Sequence, residues 1–550
     1  MDPHQRDAEA VGCCAKSNLD TDDIGKATTF WLFSIKRPHM RAFHASWFGF
    51  FVAFLGWFCV QPLIPKIKED LGLKDEEIAN SGIAAVAAVI VIRICAGPLC
   101  DRFGARRVMI GLLVAGSIPV GLTGLVTNGL GLIIVRLFIG ILGGVFVPCQ
   151  MWTINMFSDN IVGSANALAG GWGNLGGGVT FLLMPLLYQL VSYSNLSPSA
   201  VWKVTLVIPA SVGLILAIPY WFFTDDCPQG PWHLRKTRFA NEVKYDTKKL
   251  DGHVNKAYST SDSENENNTE LSVTAVENNG NLSVSGNKKM EAQQDGWRGN
   301  IGLKILTIII LFVQYAACFG VEISVNSNLN IYLLRKFKKP GCNITDLTGK
   351  DSYSCSVLTA ETASLITSLF GLMNLFARFT GGFLSDVCNK RWNLSGRILV
   401  HFTVFLLQGT LMIIFGQMDT IPSAIAVLIF WSMCVQNAEG TTYSLVPFVL
   451  PERVGIVAGI VAAGGNVGGI CWNTLWRFSL DNMSQYFTII GSIVIGTALL
   501  NIVLFVGGYH ITDPLCQKQN ENTTGGREAP EEDVSEKQAC QIVSCDSTKL

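Results

Sequence analysis

The stretch VIVIRICAGPLCD, residues 89–101, returns in the second half of the chain as LFARFTGGFLSD, residues 375–386. Arg93, Gly97 and Asp101 map onto Arg378, Gly382 and Asp386 by one constant offset of 285. Each copy is an apolar run with an arginine inside it, a glycine about one helical turn on and an aspartate at its end. A second pair agrees, because GNLGG at 173–177 recurs as GNVGG at 465–469 and carries Asn174 onto Asn466. A third, weaker pair sets FVAFLGWF (51–58) against FVQYAACF (312–319), and so Phe54 against Tyr315 and Phe58 against Phe319. The chain is built twice from one unit, as polytopic carriers often are.

The rest of the 550 residues says what that unit is made of. The chain is 49% hydrophobic and only 15% charged, against about 25% charged for a soluble domain, which excludes a simple cytosolic enzyme. Lys+Arg 41 against Asp+Glu 42 leaves a net charge of -1, so no basic excess points to nucleic acid. Fifty-four glycines with 19 prolines suit membrane helices whose backbones approach closely through small residues. Runs of about 20 apolar residues, enough to cross roughly 30 Å of hydrocarbon, number twelve. They fall near 45–65, 78–100, 106–127, 130–157, 162–191, 202–223, 301–334, 360–385, 397–417, 421–446, 454–476 and 485–509. The predicted fold is an all-α membrane protein, twelve transmembrane helices in two six-helix pseudo-symmetric halves.

The predicted organisation is an N-terminal segment (1–44), a first bundle (45–223), a linker (224–299), a second bundle (300–510) and a tail (511–550). The linker and tail, with stretches such as SENENNTE (263–270), have the composition of disordered chain. Lys36, Arg37, Arg41, Arg235, Lys236 and Arg238 favour termini and linker on the cytoplasmic side, against Arg335, Lys336, Lys338 and Lys339 on the opposite face. On that orientation the loop KKPGCNITDLTGKDSYSC (338–355) is external. There Cys342 and Cys355 can pair and Asn343 is a glycosylation acceptor; the alternative is two free thiols and an unused sequon.

A charge inside a span costs about 2.5–3.5 kcal/mol on insertion scales and marks a substrate or ion path. Arg93 and Arg378 share one depth on opposite walls of a central cavity. Snorkelling or pairing with a carboxylate is the bland alternative, but above Asp101 and Asp386 the arginine-bearing spans hold no acidic residue except Glu361, at the far end of its run. Two facing guanidiniums present planar forks of donors and suit a small oxyanion, where lysine offers a hydrated point charge. Asn174 and Asn466, each among glycines, are amides able to donate to that anion, though the glycines themselves read as packing faces. Phe54, Tyr315 and Phe319 form a slot for a flat anion, if they are not plain packing residues. Gln150 with Trp152, and Gln436 with Glu439, are polar groups at nearly repeat-equivalent places. Glu322, Glu439 and Arg136 are candidates for proton coupling, with Arg136 near the outer end of its span and able to snorkel.

GPLCDRFGARR (97–107) resembles the loop-two signature of the major facilitator superfamily, echoed by GGFLSDVCNKR (381–391). With the glycine–asparagine motifs and the two arginines, the chain resembles the nitrate/nitrite porter family. QMWTINMF (150–157), AEGTTYSLVPFV (438–449) and TDDCPQG (224–230) are similar to segments of its plant and algal high-affinity members. The resemblance implies the major facilitator fold and a plasma-membrane carrier importing nitrate, and nitrite, with protons. Arg93 and Arg378 would clamp the anion, helped by Asn174, Tyr315 and nearby aromatics. It also implies gating by Gly97, Asp101, Arg102, Gly104, Arg106 and Asp386, and in many members a small single-span accessory protein. The second signature replaces Asp101-Arg102-Phe103-Gly104 by Asp386-Val387-Cys388-Asn389, which predicts an asymmetric gate. No cofactor, metal or nucleotide-binding fingerprint is present in the polar segments. The rival readings are an electroneutral nitrate/nitrite antiporter and a nitrate sensor with little flux.

Overall fold

The computed structural model describes residues 19–194, 196–233, 297, 300–339, 356–479 and 483–513. Cys13, Cys14, Cys342, Asn343 and Cys355, with most of the linker and tail, lie outside the described residues. Among the described residues extended backbone pairs only as isolated bridges.

The first half comprises α1 (His39–Phe58), a short α2 (Ile64–Leu71), α3 (Asp75–Phe103), α4 (Ala105–Leu122), α5 (Gly129–Ile139), α6 (Phe146–Met156), α7 (Val162–Ser192) and α8 (Pro198–Phe223). The second comprises α9 (Ile301–Lys336), α10 (Ala360–Leu372), α11 (Ala377–Gly416), α12 (Ile421–Leu445), α13 (Val454–Phe478) and α14 (Met483–Leu499). The first crossing thus starts some six residues before the expected 45, because the amphipathic HMRAFH is already buried on one side. Among the described residues, eleven helical stretches are long and apolar enough to cross a membrane. One of them, Leu365–Gly416, has 52 residues, about 78 Å at 1.5 Å per residue and far more than one crossing needs. It breaks at Trp392 and Asn393, whose φ/ψ are non-helical, with Asn393 at φ 51. The two arms are the eighth and ninth crossings, so the predicted twelve are present.

Two of the crossings carry a 3-10 segment where regular helix would be expected. Gly140–Val145 joins α5 to α6, and Met373–Leu375 joins α10 to α11. Such segments re-aim the backbone locally. The first turns the Gly143 carbonyl toward α3, and the second ends three residues before Arg378.

The two bundles meet along two seams related by the repeat, α3 against α13 and α11 against α7. Contact is close enough to require glycine. A methyl on Gly455 would fall 2.5 Å from the Gly97 carbonyl oxygen, and one on Gly171 would fall 2.5 Å from that of Asn374. Each seam is closed at the end nearer the termini by an aspartate capping the facing helix. Asp101 accepts from the Gly455 and Ile456 N–H groups, both at 3.0 Å, at the start of α13. Asp386 accepts from the Gly163 and Ser164 N–H groups, at 3.1 and 2.6 Å, at the start of α7. Carboxylates on helix N-termini satisfy orphan N–H groups and complement the helix dipole.

Both copies of the signature keep the carboxylate that makes the cap, although the second departs from the first around it. Asp386 is further held by Arg397, fully buried, which pairs with it at 2.7 Å and donates to the Asp159 carbonyl at 2.7 Å.

Candidate functional site

Arg93 and Arg378 are both buried, at 0% and 2% exposure. Arg93 leaves the middle of α3 and donates from Nε to the Gly143 carbonyl at 3.0 Å and from Nη1 to the Ala462 carbonyl at 2.9 Å. Its remaining nitrogen, Nη2, is buried without a hydrogen-bond partner. Arg378, at the start of α11, donates from Nη2 to the Tyr315 hydroxyl at 3.2 Å and to the Glu439 carboxylate. Its Nη1 is likewise buried and unpartnered.

Pairing with Glu439 corrects the sequence reading on one point. The missing anion is supplied to Arg378 by α12, not by its own span. The repeat does not carry this over to Arg93, whose two hydrogen bonds go to neutral carbonyls.

The ring shared by the arginines is Phe146, at the start of α6. Its centroid lies 5.1 Å from the Arg93 Cζ and 5.9 Å from that of Arg378. Phe319 also packs against Arg93, at 5.1 Å. Phe146, Tyr315 and Phe319 lie nearly parallel, with interplanar angles of 19° and 11° and centroid spacings of 6.2 and 5.4 Å. Tyr443 closes the stack edge-on, 4.8 Å from Phe146 and 5.2 Å from Tyr315, and anchors its hydroxyl on the Ala458 carbonyl at 2.9 Å. The result is a buried aromatic cluster with both guanidiniums packed against it.

The other expected residues fall into place around this cluster or away from it. Asn174 on α7 has both amide atoms buried without partners, and Asn466 on α13 has its Oδ1 so. Gln150 donates to the Asn166 carbonyl at 3.3 Å. A methyl on Gly170 would meet Gln150 Nε2 at 3.1 Å and Arg378 Nη1 at 3.3 Å, so that glycine leaves the arginine head its room. Gln436 is fully buried with neither amide atom paired. Glu322 accepts from Asn374 Nδ2 at 2.6 Å and is an electrostatic neighbour of both Arg378 and Glu439.

Phe54 packs edge-on or tilted against Phe50, Trp57 and Phe58, and Phe50 in turn lies 5.4 Å from Phe146. Trp152 turns away to hydrogen-bond the Asp225 carbonyl at 2.8 Å. Arg136 does not snorkel. It is buried and donates to Ser81 Oγ at 3.0 Å inside the first bundle.

At the end of the bundle nearer the termini, Gly104 turns the chain from α3 into α4 at φ 90, a conformation natural to glycine. Arg102 lies over the Phe103 ring at 5.3 Å. Arg106 donates to the Thr224 carbonyl at 2.5 Å and pairs with the buried Asp226 at 3.3 Å. Burial pushes the Asp226 carboxyl above the usual range, while Arg106 and Arg107 pull the other way. Arg37 pairs with Asp225 at 3.4 Å. The conspicuous TDDCPQG segment is thus the strap that ties the end of α8 to the loop after α3.

Phe146 and Tyr443 were not singled out from the sequence. Phe146 sits in an apolar run without any marker. Tyr443 was visible in principle, as a phenol within the polar streak that follows Glu439.

Two six-helix halves meeting at a buried pair of arginines beside an aromatic cluster have the architecture of a polytopic membrane carrier. The family model for the Major Facilitator Superfamily matches residues 46–473. Over 453 residues the chain is 33% identical to the high affinity nitrate transporter 2.5 of Arabidopsis thaliana, covering 82% of this chain and 76% of that one. It is 30% identical to nitrate transporter 2.1 of Chlamydomonas reinhardtii, covering 83% and 71%. With the nitrate/nitrite transporter NrtP of Nostoc punctiforme the identity is 26%, over 82% and 89%. Among solved structures, the proton:xylose symporter XylE aligns with a TM-score of 0.55 at 12% identity, covering 86% of this chain and 98% of that chain. That likeness concerns the fold alone. The chain belongs to the nitrate/nitrite porter family of the major facilitator superfamily.

Proposed function

We propose that this protein imports nitrate, and nitrite with it, across the plasma membrane by proton symport through alternating access. The observation that carries the reading is the pair of buried guanidiniums, one from each half, each with an unpartnered Nη beside the Phe146 ring. A planar oxyanion matches both features. Its oxygens accept from two guanidinium forks, and its flat face lies along the ring. Asn174 and Asn466 add amide groups at equivalent places on α7 and α13. The names of the relatives, nitrate transporters and nitrate/nitrite transporters, support the same class of anion.

Alternating access follows from the seams. With both aspartate caps made, the end of the bundle nearer the termini is shut. Breaking the bonds of Asp101 to α13 and of Asp386 to α7 lets that end separate. Placing this end in the cytoplasm, with the N-terminal segment, linker and tail, makes the shut state the one that takes anion from outside. Importing one anion against an inside-negative potential costs about 2.3 kcal/mol per 100 mV. One proton cancels that electrical cost, and net electrical drive requires more than one. Glu322 and Glu439 lie beside Arg378, which favours them over Arg136 as proton acceptors.

Nitrate-evoked current, recorded with labelled nitrate uptake in voltage-clamped cells, tests this reading. Cells are compared with and without a small single-span partner. Inward current that grows at low external pH, with matching uptake, is the expected result. Uptake without current, stimulated by internal nitrite, gives the antiporter instead. Nitrate binding with neither current nor uptake, at normal surface expression, gives the sensor.

A further inference from the structure

The two arginines are equivalent by the repeat and unequal in their company. Arg93 gives its hydrogen bonds to the Gly143 and Ala462 carbonyls, so its charge is solvated but not cancelled. Arg378 is cancelled by Glu439, and both residues are fully or almost fully buried. Even so, that pair is incompletely satisfied: Arg378 Nη1 and Glu439 Oε1 are both buried without a hydrogen-bond partner. Each has spare bonding capacity.

We propose that Glu439 is an exchangeable counter-ion, which a nitrate oxygen replaces on Arg378 only when a proton has neutralised the carboxylate. This inference rests on the reading of the arginine pair as a nitrate site and adds the means by which proton and anion are coupled. Arg93 is then the standing half of the clamp and Arg378 the conditional half.

The exchange balances. Glu439 takes one proton on a carboxylate oxygen, the Nη2–H bond to that oxygen breaks, and Nη2–H donates to the anion. On release the anion leaves Arg378, the carboxyl loses its proton to water, and the carboxylate returns to Nη2. Without the proton, two anions would crowd one guanidinium in a site shielded from water, where their repulsion is poorly screened.

The other groups facing the pair do not offer the same exchange. Glu322 of α9 is the second carboxylate beside the pair: Asn374 holds its Oε1, its Oε2 is buried without a partner, and it neighbours Glu439, but it makes no ion pair with Arg378 for an anion to replace. Tyr315 and Cys318 of α9, Tyr443 of α12, and Cys149 and Gln150 of α6 carry no carboxylate. Arg93 of α3 faces from the opposite bundle. His401 of α11 points to Thr441 and Gln314, at 2.8 and 3.1 Å.

The experiment is equilibrium binding of labelled nitrate to the purified full chain across about pH 5.5 to 8.5, for the wild type and Glu439→Gln. A parallel recording follows pH in weakly buffered wild-type protein as nitrate is added. The wild type should bind nitrate more tightly as pH falls, by about tenfold per unit for the Glu439 proton, and should take up at least one proton per nitrate at the alkaline end, any further proton that carries the current entering elsewhere in the cycle. Glu439→Gln should bind with a flat pH profile close to the wild type's acid-limit affinity. In vesicles it should exchange nitrate for nitrate yet no longer accumulate it on a proton gradient.

A flat wild-type profile without proton uptake overturns the proposal, and this needs no variant to fold. So does a wild-type slope in Glu439→Gln, or a slope that survives there and vanishes in Glu322→Gln. Absence of nitrate binding by the wild type at every pH overturns the nitrate reading itself and is distinct from these results.

Discussion

Arg93 and Arg378 stand 285 positions apart on equivalent helices of the two halves, and both guanidiniums pack against one phenylalanine ring, Phe146, at 5.1 and 5.9 Å. The repeat explains why there are two arginines at one depth. It does not explain their inequality, because the carboxylate that neutralises Arg378 is contributed by α12 without a counterpart reaching Arg93. A twofold scaffold thus holds a one-sided site, which a carrier needs if one half is to respond to protons and the other to hold the anion throughout.

Phe146 is the common wall of both guanidiniums. Phe146→Leu keeps an apolar side chain of similar bulk and removes the π-face. Each cation–π contact contributes about 0.5–2 kcal/mol, so nitrate affinity should fall roughly tenfold while the purified protein stays monodisperse. Titration with labelled nitrate measures this. Unchanged affinity in a folded Phe146→Leu protein would remove the ring from the site.

The aspartate caps set the balance between the two ends of the carrier. Losing an N-terminal cap costs about 1 kcal/mol, equivalent to roughly a fivefold shift in a two-state equilibrium. Asp101→Ala and Asp386→Ala should each speed thiol labelling of a cysteine placed at Ala167, a buried position on α7 beyond the gate, by about that factor. Reagent is supplied from the side of the termini in inverted vesicles. Equal labelling rates with and without the caps would mean that the seam is held elsewhere.

Asp226 provides a pH effect outside the spans. Burial is the larger influence and raises its folded pKa, so ionisation costs the folded form more than the unfolded one. Its contribution to stability is present below the ordinary carboxylate range and is lost as pH rises through the raised folded value. Asp226→Asn should therefore flatten the part of the melting-temperature profile that declines across that window. Arg106→Gln should do the reverse: it leaves a buried carboxylate without its cation and lowers stability at neutral pH by about 3 kcal/mol. Thermal unfolding in detergent at several pH values reads both. Superimposable profiles for wild type and Asp226→Asn would refute the assignment.

Much of this architecture was legible in the sequence because membrane spans and repeats are written in composition and offset. The apolar runs gave the crossings, and the constant spacing between VIVIRICAGPLCD and LFARFTGGFLSD placed both arginines. The eighth and ninth crossings read as two runs although their backbone is nearly continuous, because the polar CNKRWN at 388–393 interrupts the hydropathy where Asn393 turns the chain. The site was only partly legible. A phenylalanine that solvates two cations looks like any other phenylalanine in an apolar helix, which hid Phe146. The partner of Arg378 was hidden because pairing between different helices leaves no spacing to read. Helix faces are not marked by an apolar run either, so the sequence could not say that Phe54 packs with Phe50, Trp57 and Phe58 or that Trp152 bonds the Asp225 carbonyl.

The most direct test of the account is nitrate binding to the purified chain with each arginine replaced by lysine. Lysine keeps the charge and loses the planar fork. Loss of charge-assisted hydrogen bonds worth about 1.5–3 kcal/mol predicts that Arg93→Lys and Arg378→Lys each weaken nitrate binding by tenfold or more in folded protein. Wild-type affinity in either well-folded variant would contradict the clamp.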